Sequence, residues 1–242
     1  DILRETDSLA KRDFAGERVL ITAGATREAI DPVRFLSNHS SGRMGFALAE
    51  AARARGAEVT VVAGVTTAHA PAEVRLLCVT SAAEMHAAVM SEINRATIFM
   101  AAAAVADYRP VEPAAQKIKK SGEVLTLQLE LTPDILAEVA ASPHDNLIVI
   151  GFAAETDNVL QQARHKLERK RLDAVVANNV TQPGAGFDTE TNIVTILTRD
   201  SDEPIELPLL AKRAVADRIL DEVARLRQQK PLVIMSSELR AV

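Results

Sequence analysis

The amino-acid sequence predicts an α/β protein whose core is a doubly wound, mostly parallel β-sheet with helices on both faces. The first observation behind this prediction is a set of short apolar runs such as RVLITAG (18–24), which are typical of strands buried on both faces. The second is that segments with apolar residues at helical spacing alternate with these runs. The third is that most links between them are short, as they are in β-α-β units.

The first part of the chain, up to residue 108, supplies the order strand, helix, strand, strand, helix, strand. The first helix has an apolar face and stops at Gly56, a residue type favoured directly after a helix. Ser81 precedes the second helix, where its hydroxyl is expected to cap the first turn. The predicted strands span 18–24, 57–64, 73–80 and 97–108, and the predicted helices span 43–55 and 82–96.

The second part of the chain is less regular. Residues 123–132 alternate apolar and polar side chains, which predicts a strand with one wet face, and the stretch around 109–130 is expected to protrude from the Rossmann-like sheet as a β flap. Pro133 and Asp134 are expected to open a helix. The remaining predicted strands span 146–155, 173–180 and 191–198, the remaining helices span 134–142, 158–172 and 209–229, and a turn is predicted at 184–187.

The domain organisation follows from the absence of an internal repeat and of a long linker. One compact domain is predicted over 15–229, preceded by a linker over 1–14 and followed by a tail over 230–242 to which no role is assigned. The chain begins without an initiator Met, which suggests a piece excised from a longer protein.

The composition argues against several function classes. A net charge of −5 and a pI near 5.6 argue against a protein devoted to nucleic-acid backbones. No apolar stretch reaches the ~20 residues needed to span a bilayer, and no signal peptide opens the chain, so a cytoplasmic protein without a membrane partner is expected. Cys78 is the single cysteine, and its apolar surroundings predict a buried structural thiol. The five histidines lack metal-ligand spacing.

A dinucleotide cofactor is the first hypothesis for such a sheet, and the sequence disfavours it. The loop after the first strand, TAGATREAI, contains one glycine, Gly24, where the phosphate fingerprint needs three. The second strand ends without the acidic residue that would hold the adenosine ribose. Tyr108 has no lysine four residues later. An NAD(P)-dependent reductase stays open as an alternative, as does a non-catalytic nucleotide-binding module.

The loop between the first strand and the first helix is unusually long and polar, and long loops in compact domains are often functional. It brings small polar residues directly before the helix, where unpaired N–H groups favour an anion. Capping of the helix by Ser40 or Ser41 is the alternative for either serine alone. The cluster as a whole predicts an anionic ligand, and its members are Arg34, Asn38, Ser40, Ser41, Gly42 and Arg43.

Three later segments offer further ligand-binding groups. Asp107 follows a run of four alanines and could bind a ribose hydroxyl or a metal ion, and the QKIKKSG segment (116–122) forms a cationic group. Phe152 follows a buried strand and could stack on a base. Lys166 and Lys170 share one helix face, as suits a triphosphate. For each lysine group a solvated surface is the alternative.

Six strings together resemble phosphopantothenoylcysteine synthetase, the ligase of coenzyme A biosynthesis, and more closely the C-terminal half of the bacterial bifunctional synthetase/decarboxylase. The resemblance covers residues 15 to 228, and its strings are ITAGATREAIDPVRFLSNHSSGRMG, AAAAVADYRP, QKIKK, LTPDIL, GFAAET and VANNV. It implies that the carboxylate of 4′-phosphopantothenate attacks the α-phosphate of CTP, with Mg²⁺ (or Mn²⁺) present, and expels pyrophosphate. The amine of L-cysteine then displaces CMP from the acyl-cytidylate.

The resemblance also implies residue roles and partners. Asn38 would bind the reacting carboxylate and the intermediate, with Arg34 in the same motif, while Lys117 and Lys120 would serve as flexible-loop lysines. Ser40, Ser41, Gly42 and Arg43 would lie near the phosphopantothenate. The implied nucleotide-binding residues are Gly24, Ala103, Asp107, Pro133, Asp134, Ile135, Leu136, Phe152, Lys166 and Lys170. A homodimer is implied, and so is a covalent N-terminal flavin decarboxylase domain absent from this chain, so that no flavin is expected; the metal ligands stay unassigned.

Overall fold

The computed structural model describes residues 12–230 except 121, 123, 145, 156, 180–185, 187 and 188. The strands are β1 (Arg18–Ala23), β2 (Arg27–Ala29), β3 (Phe35–Ser37), β4 (Glu58–Ala63), β5 (Arg75–Cys78), β6 (Ile98–Ala101), β7 (Tyr108–Pro110), β8 (Leu129–Leu131), β9 (Ile148–Glu155), β10 (Ala174–Asn179), β11 (Thr191–Thr198) and β12 (Ser201–Ala211). The helices are α1 (Arg43–Ala54), α2 (Ala82–Glu92), α3 (Ile135–Ala141), α4 (Val159–Arg169) and α5 (Lys212–Gln229), with a 3₁₀ turn at Ile93–Arg95.

Within the described residues, eight strands form the central sheet in the order β12-β11-β10-β9-β6-β1-β4-β5. The six strands from β10 to β5 are parallel, and β11 and β12 extend the sheet antiparallel at one edge. After β1 the chain builds β4 and β5 on one side and then crosses to β6, β9 and β10 on the other. This confirms the doubly wound prediction and puts the topological switch point between β1 and β6, where α/β proteins bind ligands.

The helices lie on both faces of the sheet, as predicted. The buried side chains Ile21, Val61 and Met100 pack with α1 and α5 on one face. Leu20 and Val62, their neighbours along the same strands, pack with α2, α3 and α4 on the other face. Because successive residues of one strand point to opposite faces, a strand covered on both sides is apolar along most of its length, which explains the apolar runs.

Helix α1 lies unusually close to β1. A Cβ atom on Gly45 would come within 2.6 Å of the Ala23 Cβ, so only glycine fits at this point of contact. Helix α1 ends as the sequence predicts, since Gly56 follows it with a φ of +95°. The predicted cap of α2 is also confirmed, because the Ser81 hydroxyl accepts a hydrogen bond from the Glu84 N–H at 3.1 Å.

Strand β12 is absent from the prediction, which started a helix at residue 209. The structure continues the strand to Ala211 and begins α5 at Lys212. Pro204 and Pro208 argued against a strand in the sequence, because proline is tolerated in a sheet chiefly at an edge. The structure shows that β12 is an edge strand, which accommodates them. The apolar residues 209–211 then continued smoothly into the amphipathic pattern of α5.

Other predicted elements are shorter in the structure. The strand predicted over 97–108 ends at Ala101, and the one over 123–132 is a strand only at Leu129–Leu131. There β8 pairs with β7 in a small separate sheet that forms the base of the flap. The long polar loop contains the β2–β3 hairpin, which was not predicted.

The prediction of a buried Cys78 is wrong, since the thiol is exposed at the end of the outermost parallel strand, β5. Most of the turn predicted at 184–187, most of the linker and nearly all of the tail fall outside the described residues. In the described chain, no helix combines the length and the hydropathy that crossing a bilayer requires.

Candidate active site

A cleft opens at the carboxyl ends of β1, β6 and β9, beside the switch point. It consists of two adjoining cavities of about 470 and 460 Å³. We call the first the α1 half, because the loop before α1 lines it, and the second the α3 half, because the start of α3 lines it. The two halves share five lining residues, the shared wall, which are Ala103, Val105, Asp107, Phe152 and Lys166.

The α1 half is closed at one end by the N-terminus of α1. Gly42 is the residue before the helix, with a φ of +81°, and as a glycine it has no side chain to cap the first turn. The Ser40 hydroxyl accepts a hydrogen bond from the Gly42 N–H at 3.4 Å, and Gly42 precedes the first helical residue. Ser41 is 2% exposed, and its carbonyl accepts the Thr67 and Ala68 N–H groups. The first turn of α1 therefore presents N–H groups to the cavity.

Asn38 is held at the junction of two loops. Its side-chain Nδ2 donates to the Val105 carbonyl at 3.0 Å, which attaches the polar loop to the shared wall. Thr26 reinforces the same junction, because its hydroxyl accepts the Ala106 N–H at 2.9 Å and its carbonyl accepts the Ser37 hydroxyl at 2.7 Å. The amide of Asn38 is thus placed where the two halves of the cleft meet.

The two arginines of the predicted anion-binding cluster are both engaged by carboxylates. Arg34 pairs with Asp31 at 3.1 Å and donates to the Ile118 carbonyl at 3.1 Å, and it does not line the cleft. Arg43, the first residue of α1, lines the α1 half and forms an ion pair with Glu190. Arg34 therefore lies outside the cleft lining, whereas Arg43 lies at the edge of the cleft.

The α3 half is lined by three cations, Lys166, Arg169 and Lys170, and by two carboxylates, Asp107 and Asp134. Lys166 donates to the Phe152 carbonyl at 2.6 Å, and Lys170 contacts both carboxylate oxygens of Asp134 at 2.8 and 2.7 Å. Asp134 also caps α3 by accepting the Ala137 N–H at 3.0 Å. Burial alone would raise the pKa of the Asp134 carboxyl, but the hydrogen bonds from Lys170 and Ala137 and the charges of Lys170 and Lys166 outweigh it and lower that pKa.

The alanine-rich loop after β6 contributes small residues to the shared wall. The Ala103 N–H donates to the Thr22 hydroxyl at 3.2 Å, which fixes the backbone of the loop after β6. Gly24 is not among the residues that line either half. Its carbonyl accepts a hydrogen bond from the Ala104 N–H at 2.8 Å and so stabilises the loop next to the shared wall. Side chains as short as alanine allow a ligand to approach this backbone closely.

The lysine-bearing segment lies beside the polar loop. Lys117 and Lys120 are exposed and are not among the lining residues of the cleft. The backbone of Ile118 between them bonds to Asp31 and Arg34, and the Ala114 N–H donates to the Ile30 carbonyl at 2.9 Å. The structure thus places Asn38 and the lysines on neighbouring segments, with the ammonium groups outside the cleft.

Three polar residues that the last strands and α5 contribute to the α1 half were not singled out from the sequence. Asn178 and Asn192 come from β10 and β11, and Lys212 opens α5. The Lys212 ammonium donates to the Gly186 and Thr189 carbonyls at 2.9 and 2.5 Å. The end of a predicted parallel strand could have drawn attention to Asn178, but Lys212 gave no signal because β12 before it was missed.

Comparisons with known proteins agree with this architecture. A family described as the DNA/pantothenate metabolism flavoprotein C-terminal domain matches residues 14–226. The coenzyme A biosynthesis bifunctional protein CoaBC of Vibrio cholerae is 48% identical over 213 residues, which are 87% of this chain and 53% of that protein. The Escherichia coli K12 protein of the same name is 46% identical over 221 residues, which are 90% of this chain and 54% of that protein.

A solved structure leads to the same family. The crystal structure of the C-terminal domain of CoaBC is 40% identical and superposes with a TM-score of 0.77, covering 90% of this chain and all of that one, 100%. The chain spans about half the length of the curated relatives it matches. These matches confirm the family resemblance read from the sequence. The chain belongs to the family of the DNA/pantothenate metabolism flavoprotein C-terminal domain.

Proposed function

We propose that this chain is a phosphopantothenate–cysteine ligase that works in coenzyme A biosynthesis with CTP as its co-substrate. The observation that carries the proposal is a cleft in two adjoining halves that meet at the shared wall, with the first turn of α1 bordering one half and Lys170 bordering the other. The names of the bacterial relatives, coenzyme A biosynthesis bifunctional protein, support the pathway. Neither a nicotinamide reductase nor a non-catalytic module finds support among them.

The reaction brings together two anions, a carboxylate and a triphosphate, which repel each other. In our proposal the triphosphate lies in the α3 half, where Lys166 and Lys170 supply positive charge, and Pro133 to Leu136 border the nucleotide. The 4′-phosphopantothenate lies in the α1 half, with its phosphate against Ser40 to Arg43. Its carboxylate then faces the α-phosphate at the shared wall, and Asn38 orients it. Charges arranged before the reaction stabilise the transition state without reorganisation.

The two steps require little acid–base help. A carboxylate oxygen attacks the α-phosphorus, pyrophosphate leaves, and an acyl-cytidylate results. The carboxylate is already ionised at neutral pH, so no general base is needed for this step. The cysteine amine then attacks the acyl carbon, and CMP leaves as the amide forms. This chemistry agrees with the absence of a His or Glu dyad among the described residues that line the cleft.

A divalent cation fits the donors of the cleft as part of a nucleotide complex. Within the described chain no three His, Cys, Asp or Glu side chains gather to hold a metal, and Asp107 and Asp134 are the carboxylates that line the cleft. Mg²⁺ binds in such sites through one or two carboxylates and the substrate phosphates, rather than through an all-protein cage. Asp107 would hold it, since Lys170 engages Asp134. The ion would neutralise phosphate charge.

The exposed apolar side chains of the flap support the proposed homodimer. Tyr108, Leu125, Leu129 and Leu131 are between 44% and 71% exposed, which is unusual for large apolar residues grouped together. A second copy that pairs flap to flap would cover them. In the same proposal Lys117 and Lys120 close over the reacting groups and exclude water from the acyl-cytidylate.

One assay tests the function. The chain is incubated with CTP, Mg²⁺ and 4′-phosphopantothenate, with and without L-cysteine, and pyrophosphate is measured. We expect pyrophosphate to be released only when 4′-phosphopantothenate is present. Multiple turnovers are expected only when cysteine is also present. The absence of pyrophosphate in both mixtures would contradict the proposal, and CTP binding without turnover would indicate a non-catalytic module instead.

A further inference from the structure

Asp31 is a buried carboxylate in the loop between β2 and β3. The residue is 3% exposed, and its two oxygens have different partners. Oδ1 accepts the N–H groups of Val33 at 2.8 Å and Arg34 at 2.9 Å, which form the local turn. Oδ2 accepts the Ile118 N–H at 3.1 Å and pairs with the Arg34 guanidinium at 3.1 Å. One oxygen therefore shapes the loop, and the other reaches across to a segment 87 residues away.

The charge state of Asp31 agrees with this geometry. Burial alone would raise the pKa of the Asp31 carboxyl, but three backbone N–H donors, from Val33, Ile118 and Arg34, and the Arg34 charge lower that pKa below its usual value. A carboxylate thus surrounded stays ionised at neutral pH. Its bonds to the two segments are charge-assisted and stronger than bonds between neutral groups.

Arg34 completes a clamp on a single residue. Its second guanidinium nitrogen donates to the Ile118 carbonyl at 3.1 Å, while Asp31 accepts the Ile118 N–H. Both backbone hydrogen-bonding groups of Ile118 are therefore held by one carboxylate–guanidinium pair. Lys117 precedes Ile118 directly, and Lys120 follows two residues later. An extended chain advances at most about 3.6 Å per residue, so the clamp limits where both lysine backbones can be.

We propose that Asp31 is a positioning residue for the ligase reaction. Its carboxylate clamps the lysine segment (residues 117–120) onto the loop that carries Asn38. The inference rests on the proposed function, because it presumes that Lys117 and Lys120 act on the reacting anions. Asp31 touches neither half of the cleft and works through Ile118. The clamp makes the Asn38 loop and the lysine segment one body, so the two lysines start near the cleft and only their side chains have to move.

The substitution Asp31→Asn separates the two roles of the carboxylate. Two N–H donors on Oδ1 hold the carboxamide oxygen at that position, which turns the NH₂ group towards the Ile118 N–H and the Arg34 guanidinium. A donor then faces donors, and the clamp opens while the local turn survives. Glu112→Gln, the same change on an exposed residue near the segment, is the matched control.

Three measurements on Asp31→Asn test the inference. Tryptic cleavage after Lys117, Lys119 and Lys120 should accelerate at least about 10-fold, because cleavage tracks local opening. The kcat for pyrophosphate release should fall by about 10- to 100-fold, as expected when a catalytic group is misplaced. The Kd for CTP should stay within about twofold of wild type, because Asp31 does not line the α3 half. Glu112→Gln should match wild type in all three.

A second pair of variants opens the clamp from the other side. Ile118→Pro removes the N–H that Asp31 accepts, whereas Ile118→Ala retains it. If Asp31→Asn does not fold, this second pair tests the positioning role instead. Residue 118 is half-buried and lies in a loop, so we expect both substitutions at this position to leave the fold intact. Only the proline variant should show faster cleavage and a lower kcat.

The results separate the two proposals. A wild-type chain that releases no pyrophosphate refutes the ligase function itself. With an active wild type, the positioning role is refuted if Asp31→Asn and Ile118→Pro keep the wild-type kcat, whether or not cleavage accelerates. It is equally refuted if the Kd for CTP rises together with the loss of kcat, because the change would then be a general loss of structure.

Discussion

Gly42→Ala is the perturbation for which the structure sets the cost most directly. Gly42 precedes α1 with a φ of +81°, in the left-handed region, and an added Cβ would lie 2.6 Å from Thr66 Cγ2 and 3.0 Å from Thr66 Cβ. Gly16 has a similar φ of +86°, but an added Cβ there meets no atom within 4 Å. The two positions therefore share the backbone strain, and only one of them has the steric clash.

The magnitudes follow from these two contributions. Left-handed backbone costs a residue with a Cβ roughly 1–2 kcal/mol, and we expect this loss of unfolding free energy for Gly16→Ala. Crowding of a packed site costs about 1–3 kcal/mol more, so Gly42→Ala should lose about 2–5 kcal/mol. That is a large part of the 5–15 kcal/mol typical of a domain. Thr66→Ser removes Cγ2, the atom in closest contact, and should restore most of the difference between the two glycine variants.

Urea unfolding of the single variants and of Gly42→Ala/Thr66→Ser measures these values, provided that the slopes stay equal. The coupling between the two substitutions should be favourable and of about 1 kcal/mol or more. The reasoning fails if Gly42→Ala costs no more than Gly16→Ala, or if Thr66→Ser restores nothing. In that case the loop before α1 moves freely enough to accept a side chain, and the N–H groups of its helix are not held in one place.

Three further predictions concern the cleft. Asn38→Asp should still release pyrophosphate in a single turnover with CTP but form the amide with cysteine slowly, and loss of CTP binding would contradict the role of Asn38. Lys117→Gln should slow the pre-steady-state release of pyrophosphate by about 100-fold with an unchanged thermal midpoint, and an unaltered burst would refute it. The pKa of Asp134 is lowered in the folded chain, so its contribution to stability is fully present above the ordinary value of 3.8 and is lost as the pH falls through the lower native value. In Asp134→Asn the urea midpoint should therefore fall less steeply as the pH is lowered. A decrease as steep as in wild type would refute this prediction.

The sequence predicts the strands that are buried on both faces, because such strands are apolar along most of their length. β1, β4, β9 and β10 all carry this signal, and the glycine and serine at helix ends add clear boundaries. β12 escaped because an edge strand tolerates proline and need not be apolar. Cys78 misled in a similar way: its run is apolar, but β5 is the outermost strand, so side chains near its end stay exposed.

The residues around the cleft were predicted better than their contacts. A local signal came from each of three segments: the polar loop, the four alanines, and the helix that carries Lys166 and Lys170. Residues of all three segments line the cleft. That Lys170 would pair with Asp134, or that Arg34 would hold Ile118, depends on the distance between loops that are far apart in sequence. No periodicity encodes such pairings. The same limit explains why Asp31, a single acid in a loop, drew no attention before the fold was known.

The five residues common to both cavities constrain how the cleft could be redesigned. In the proposed arrangement, a larger side chain at Ala103 would intrude on the nucleotide and on the acid together, so the apparent affinities of both co-substrates would change at once. Pro133 to Leu136 border one cavity alone. An attempt to alter the preferred base should therefore begin at this tetrapeptide.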